Sequence, residues 1–260
     1  MATVPVHPIH FVGAGPGDTE LITLRGRRLL DEADCIVYAG SLVNPDLLHG
    51  CKAREIYDSQ GMDLEQIVAV MHAAWQKGGK VVRLHTGDPS IYGAIKEQMM
   101  HLDRLNIPYL VVPGVTSAAG AAAALKAELT LPEISQTIII TRQEGRTPVP
   151  EGEKLRDLAR HRTTMMIFLS VGMLEKVVAE LTAGGYSADT PIAVVERATW
   201  ANEKIVRGTL GTICALVAKE NIRKTAMICV GQVFGEEELS AVSKLYDPGF
   251  GHGTREARHD

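Results

Sequence analysis

The segment Val81-Val82-Arg83-Leu84-His85-Thr86-Gly87-Asp88-Pro89-Ser90-Ile91-Tyr92-Gly93 constrains the fold most. An apolar strand runs straight into a Gly-Asp-Pro turn, and a helical pattern follows. Glycine permits positive φ or close approach of the backbone to a ligand. Proline presets φ for the first turn of a helix and gives up an N–H that has no partner there anyway. A second strand ends similarly in Ile9-His10-Phe11-Val12-Gly13-Ala14-Gly15-Pro16-Gly17-Asp18, and a third runs into Gly114-Val115-Thr116-Ser117. Strand, glycine turn and helix in repetition predict a parallel sheet with covering helices. Ligands of such sheets bind beyond the carboxyl ends of the strands. Gly87 and Asp88 therefore stand where a ligand can touch them.

The alternation fills the first half of the chain. Strands are expected at 9–12, 35–39, 80–85 and 109–112, and helices at 19–33, 63–77, 92–105 and 116–126. In the 63–77 helix, Leu64, Ile67, Val68, Met71 and Trp75 share one face. Asp63 caps its start, and Gly78-Gly79 ends it. Thr130 to Gln136, which contains Pro132, interrupts the alanine-rich helix before it. This predicts an N-terminal domain over 1–130, a C-terminal domain over 131–246 and a tail over 247–260. The second half reads as strands near 137–141, 164–169, 191–196, 204–208 and 225–230, with helices near 153–160, 172–184 and 209–219. Ala193–Glu196 and Lys204–Arg207, joined by Arg197–Glu203, predict an antiparallel arm and hence a mixed sheet. The tail is poor in apolar residues and is expected to be ordered only where it docks.

Composition excludes several classes. With 260 residues, 45% of them hydrophobic, there is material for one large or two modest cores. A formal charge of −4 gives no electrostatic reason to expect a nucleic-acid partner. No apolar run is long enough to span a bilayer. The N-terminus lacks the basic region and apolar core of a signal peptide. The four cysteines, Cys35, Cys51, Cys214 and Cys229, have no metal-ligand spacing, so no metal is expected. Cys35 and Cys229 lie in apolar strands and read as core residues. A reducing cytoplasm is the simplest setting. Most methionines, Met71, Met99, Met100, Met165 and Met166 among them, read as core filling, and Gly120 reads as a point of close helix approach.

Gly13-Ala14-Gly15-Pro16-Gly17-Asp18 has a superficial dinucleotide-binding look. Asp18 replaces the third glycine of that motif, and Pro16 removes an N–H from the phosphate cradle. The second strand ends Tyr38-Ala39-Gly40-Ser41, with no acid for a ribose. The segment reads better as a tight turn with Asp18 as helix N-cap.

Taken together, the three glycine turns resemble those of the tetrapyrrole methyltransferases of corrin biosynthesis, which use S-adenosylmethionine. Tyr38-Ala39-Gly40-Ser41-Leu42-Val43-Asn44-Pro45, Leu131-Pro132-Glu133-Ile134-Ser135-Gln136-Thr137 and Thr141-Arg142-Gln143-Glu144-Gly145-Arg146-Thr147-Pro148 are similar to the branch that methylates a precorrin at C-11. The resemblance runs from about residue 8 to residue 255. It implies two α/β domains, an N-terminal parallel and a C-terminal mixed sheet, with the donor in a cleft between them. It also implies a homodimer. Carried over by residue match, donor contacts fall on Gly87, Asp88, Ile91, Thr116 and Ser117, and in the second domain on Val171, Thr225 and Ala226.

The acceptor of that family is an apolar macrocycle rich in carboxylates, and arginine recognises carboxylates through two parallel hydrogen bonds. Arg142 and Arg146 are candidates for this, with Arg83 and His85 on the strand that points at the site. Asn44 lies in a loop that closes over the acceptor trough in the family. A sulfonium is already a strong methyl donor, so the enzyme mainly aligns a carbon nucleophile and excludes water. No metal or covalent intermediate is expected, at most one base is required, and no residue is singled out as that base. The same fold hosts methyltransferases for diphthine and for ribosomal RNA. A protein that binds the donor or a tetrapyrrole without catalysis is the rival from another class.

Overall fold

The structure, a computed structural model, describes residues 7–235, 243 and 248–258. Their contacts divide the chain into two compact units. The first comprises the chain up to Gly120 together with Arg197–Glu203, and the second comprises Ala121–Glu196 and the chain from Lys204 onward.

The first unit carries β1 (Ile9–Gly13), β2 (Cys35–Tyr38), β3 (Glu55–Asp58), β4 (Val81–His85) and β5 (Tyr109–Val112) in the order β3-β2-β4-β1-β5. Every pairing is parallel. Alternate residues of a strand face opposite sides, and both sides are covered. Phe11, Val37 and Val81 face Met71 of α2 (Leu64–Gln76) and Leu102 of α3 (Ile95–Arg104). Val12, Ile36, Val82 and Leu84 face Leu30 of α1 (Leu24–Asp31) and Leu47. The expected alternation is present, and α2 has the expected cap. Asp63 and Gln66 form a reciprocal capping box.

Three details differ from expectation. The helix expected at 19–33 is split into a 3-10 turn, Thr19–Leu21, and α1. Asp18 caps the turn by accepting from Glu20 N–H, and Thr23 caps α1 by accepting from Gly26 N–H. Two caps so close in sequence each claim backbone donors that a continuous helix would use internally. Helix α3 starts at Ile95 and not at 92, because Tyr92 and Ala94 take left-handed φ of 54° and 48°. Strand β3 was not expected at all: it is a short edge strand with exposed Ile56 and Tyr57, too brief to show a period.

The second unit carries β6 (Ile138–Arg142), β7 (Thr164–Phe168), β8 (Pro191–Glu196), β9 (Lys204–Thr209) and β10 (Ala226–Val230) in the order β6-β7-β10-β8-β9. The sheet is mixed, with β6 parallel to β7 and the remaining pairs antiparallel. Helix α4 (Ser117–Leu125) runs across the division between the units. Helices α5 (Leu155–Ala159), α6 (Leu174–Ala183) and α7 (Ile213–Lys219) complete the second unit, around a core that includes Met165, Ile167, Leu181, Val194, Ile213 and Ile228. Helix α7 begins four residues later than the spacing predicts, because β9 continues to Thr209 and Thr212 Oγ1 accepts from Thr209 N–H. Cys35, Cys229, Met71, Met165 and Met166 are buried as expected, whereas Met100 is exposed. Of the tail, residues 247, 259 and 260 lie outside the described residues, and His252 bridges Arg255 locally.

Candidate functional site

In the first unit the carboxyl ends of β1, β4 and β5 meet on glycine. A Cβ built on Gly13 would sit 2.6 Å from both Gly114 Cα and Gly87 O, and one on Gly114 would sit 2.2 Å from Gly87 O. No side chain fits at either place. Gly87 N–H donates to Gly15 O at 2.8 Å, and Ala14 N–H donates to His85 O at 2.7 Å, so the turns of β1 and β4 are laced together. Gly87 itself has φ +59°, and a Cβ there would approach Ser117 N to 3.4 Å and Thr116 Cα to 3.6 Å. The start of α4 and the β4 turn thus leave a bare backbone cradle that any larger residue would fill.

Asp88 ties this cradle together. One carboxylate oxygen accepts from Gly114 N–H at 2.9 Å. The other accepts from Ser90 N–H at 2.8 Å and from the Ser90 hydroxyl. Burial pushes the carboxyl up, but these hydrogen bonds outweigh it and hold the group below the usual carboxylate range. Asp88 is therefore a fixed negative charge at the mouth of the cradle. Ile91 N–H closes the turn onto Asp88 O at 3.2 Å, and Thr116 Oγ1 accepts from Ala118 N–H at 3.4 Å.

Arg83 and His85, both expected near the substrate, are buried at the end of β4. Arg83 is only 5% exposed; its Nε–H donates to Gln98 Oε1 at 3.1 Å and an Nη1–H donates to Val37 O at 3.2 Å. Burial pulls its guanidinium down to about 10. His85 is 4% exposed, with its ring 6.0 Å from that of Phe11 and its Nε2 buried without a partner. Burial, and then the Arg83 charge, push the imidazole down to about 3. Both side chains belong to the α2/α3 side of the sheet and support the β4 end from beneath. Asn44 is likewise occupied: its amide donates to Gly17 O at 2.8 Å and its carbonyl accepts from Asp46 N–H at 3.1 Å. It fastens its loop to the β1 turn.

In the second unit the corresponding edge is formed by the ends of β6 and β7 and the start of β10. Ser170 is fully buried, accepting from Gln143 N–H at 2.8 Å and donating to Phe168 O at 2.6 Å. Val171 is buried just beyond it. Thr225 precedes β10 in a left-handed conformation, φ 53°, and Ala226 pairs with Glu196. Leu169 is also left-handed, φ 55°, and exposed. Sparsely populated backbone conformations cluster at functional loops. Gln143 is buried, with Oε1 lacking a partner among the described residues. Arg142 spends its guanidinium on its own loop, donating to Thr147 O at 3.1 Å and Pro148 O at 2.6 Å. Arg146, at the tip of that loop, is exposed. Among the described residues no His, Cys, Asp and Glu side chains gather into a group that could hold a metal.

These strand-end cradles can be compared with known proteins. Residues 8–214 match the family model described as Tetrapyrrole (Corrin/Porphyrin) Methylases. The chain belongs to that family. A cobalt-precorrin-4 C(11)-methyltransferase of Methanocaldococcus jannaschii is 59% identical over 248 residues, covering 95% of each chain. A solved structure of a cobalt precorrin-4 methyltransferase superposes with a TM-score of 0.86 at 49% identity, over 88% of this chain and 96% of that one. Uroporphyrin-III C-methyl transferase from Thermus thermophilus, in complex with S-adenyl homocysteine, gives a TM-score of 0.75 at 30% identity, over 87% and 98%.

Within this tetrapyrrole methylase, Gly87, Asp88, Ile91, Thr116 and Ser117 come together in the first unit. Val171, Thr225 and Ala226 lie along one edge of the second. The arm Arg197–Glu203, read in the sequence only as a connection, proves to be part of the first unit. Trp200 Nε1–H donates to Pro16 O at 3.1 Å, and Thr199 Oγ1 accepts from Asp18 N–H at 3.0 Å. A Cβ on Gly17 would stand 2.0 Å from Trp200 Cδ1, which is why that turn needs its last glycine. A tryptophan in the middle of a hairpin connection was the available signal, but nothing local says what it packs on.

Proposed function

We propose that this protein is an S-adenosylmethionine-dependent methyltransferase acting on C-11 of precorrin-4, or of its cobalt complex, in cobalamin biosynthesis. The observation that carries the reading is 59% identity over 95% of both chains to a protein of that activity. The donor family is supported by the relative solved with S-adenyl homocysteine. The cradle of Gly87, Asp88, Thr116 and Ser117 suits such a ligand, because it offers bare backbone and a fixed anion to a cationic molecule.

Gly87, Asp88, Ile91, Thr116 and Ser117 would hold the donor from the first unit, and Val171, Thr225 and Ala226 from the second. The bound donor supplies an activated methyl group on a sulfonium. The protein's part is to hold donor and acceptor in line and keep water away. Asp88 would contribute a constant negative charge, since its hydrogen bonds keep it ionised. Arg146, unencumbered at its loop tip, is the better acceptor candidate of the two loop arginines. Arg142 shapes that loop, and Arg83, His85 and Asn44 position the strand ends. We further propose a cytoplasmic homodimer; among the described residues no helix is long and apolar enough to cross a membrane.

A single-turnover experiment with methyl-labelled donor tests the activity. Precorrin-4 and its cobalt complex are offered separately, and the labelled carbon is located by NMR. Label at C-11 of either is expected. Label at another ring carbon, or none on either acceptor, overturns the reading.

A further inference from the structure

A cavity of about 320 Å³ opens in the first unit, away from the glycine cradle. Tyr38 and Gly40 at the end of β2, Asp58 and Gln60 at the end of β3, and Arg197 and Trp200 of the arm line it. It lies beyond the carboxyl ends of two parallel strands, where open α/β sheets bind ligands. Its wall is rigid. The Trp200 indole is hydrogen-bonded to Pro16 O and seated on Gly17. Thr199 is held by Asp18 N–H and itself donates to Glu203 Oε2 at 2.6 Å. These bonds sustain two left-handed residues, Arg197 at φ 50° and Thr199 at φ 69°.

The Arg197 guanidinium carbon lies 5.8 Å from the centre of the Trp200 ring. Among the described residues it forms no ion pair with a carboxylate. Asp58, the anion of the cavity, is engaged elsewhere, accepting from Gln60 N–H at 2.8 Å. A strained arm thus presents a flat aromatic face bearing an unpaired, planar cation to an open cavity. That combination recognises a carboxylate on an apolar ring: the guanidinium forms two parallel hydrogen bonds and the indole supplies contact area at little entropic cost.

We propose that Arg197, oriented by Trp200, binds a peripheral carboxylate of the tetrapyrrole acceptor. The identity of the acceptor rests on the function proposed above; the carboxylate site does not. Two measurements on the full chain therefore go together, each on wild type, Arg197→Met and Arg197→Lys, with melting temperatures recorded. The first is binding of uroporphyrin, an eight-carboxylate tetrapyrrole, by fluorescence quenching. The second is the kinetics of precorrin-4 methylation. Charge-assisted hydrogen bonds predict that Arg197→Met weakens uroporphyrin binding and raises KM for precorrin-4 by about 10- to 100-fold. kcat should stay within about threefold, and affinity for S-adenyl homocysteine should not change. Arg197→Lys should fall between, retaining charge without the fork. Loss of uroporphyrin binding in Arg197→Met without wild-type methylation of precorrin-4 would sink the proposed activity and leave the carboxylate site standing. Uroporphyrin affinity within twofold of wild type in Arg197→Met would overturn the site, as would a loss fully accounted for by a lower melting temperature.

Discussion

His85 should make the first unit sensitive to mild acid in a way that can be worked out from its surroundings. The imidazole is buried among Phe11 and Arg83, and burial pulls its folded pKa from the ordinary 6.5 down to about 3. The folded protein therefore keeps His85 neutral at a pH where the unfolded chain takes up a proton. A depressed folded pKa means that stability is fully present above the unfolded value and is lost as pH falls below it. Between about pH 6.5 and pH 3 the unfolded state binds one more proton, and the loss approaches 1.4 kcal/mol per pH unit. At pH 5 this amounts to about 2 kcal/mol relative to neutral pH. The perturbation is His85→Phe, which keeps a ring beside Phe11 and removes the titration. Urea unfolding of both proteins at pH 7.5 and pH 5 supplies four free energies. Titration of every surface carboxylate is common to both proteins and cancels in the double difference. The acid-induced loss should be about 2 kcal/mol smaller in the variant, whatever its absolute stability. A double difference below about 0.5 kcal/mol would refute the reasoning, because His85 would then be protonated, or solvated, in the folded state.

Asp88→Ala frees Gly114 N–H and unties the β4 and β5 turns. It should cost about 1–3 kcal/mol in thermal or urea unfolding and also weaken binding of S-adenyl homocysteine in calorimetry; a stability loss with unchanged affinity would leave Asp88 a purely structural residue. Gly114→Ala drives a methyl into Gly87 O, so donor-product affinity should fall more than 10-fold, and wild-type affinity in a folded variant would show that the cradle does not hold the donor. Arg146→Ala should reduce acceptor kcat/KM by about 10- to 100-fold and spare donor binding, whereas Arg142→Ala should increase proteolytic cleavage of the 142–148 loop. Equal acceptor kinetics in wild type and Arg146→Ala would move the carboxylate contact elsewhere.

The parts of the fold legible in the sequence are those with local causes. Helix α2 shows a full apolar stripe and a capping box within its own residues. The parallel character of the first sheet follows from β1, β4 and β5, which end in glycine turns and lead into helices. The hairpin β8–β9 was legible from two apolar runs separated by a short polar connection. What could not be read was decided by tertiary contact. Arg83 and His85 sit on a strand aimed at the ligand edge, and the alternation says only that they share a face. That this face is closed over by Gln98 and Phe11 is information carried by α3 and β1. The guanidinium of Arg142 is drawn to two carbonyls of its own loop, a choice that depends on loop conformation and not on residue type.

Glycine shows most clearly why the site was only half legible. Gly13, Gly87 and Gly114 invite a ligand reading, yet Gly13 and Gly114 are already required by backbone meeting backbone and Gly87 by its positive φ. Their presence would be explained by the fold with no ligand at all. The same holds for Gly17, which is demanded by an indole lying 184 residues along the chain from Pro16, whose carbonyl that indole binds. A glycine turn therefore identifies where chain segments converge, and convergence is a precondition for a site and not a site in itself. The distinction lies in what surrounds the bare backbone. At Gly87 there is a carboxylate held ionised and the first turn of a helix. At Gly17 there is an aromatic ring that fills the space and carries a cation on its face. The first arrangement suits a small cationic donor and the second a large anionic ring. Both lie at the carboxyl edge of the same parallel sheet, and neither is written in a single motif.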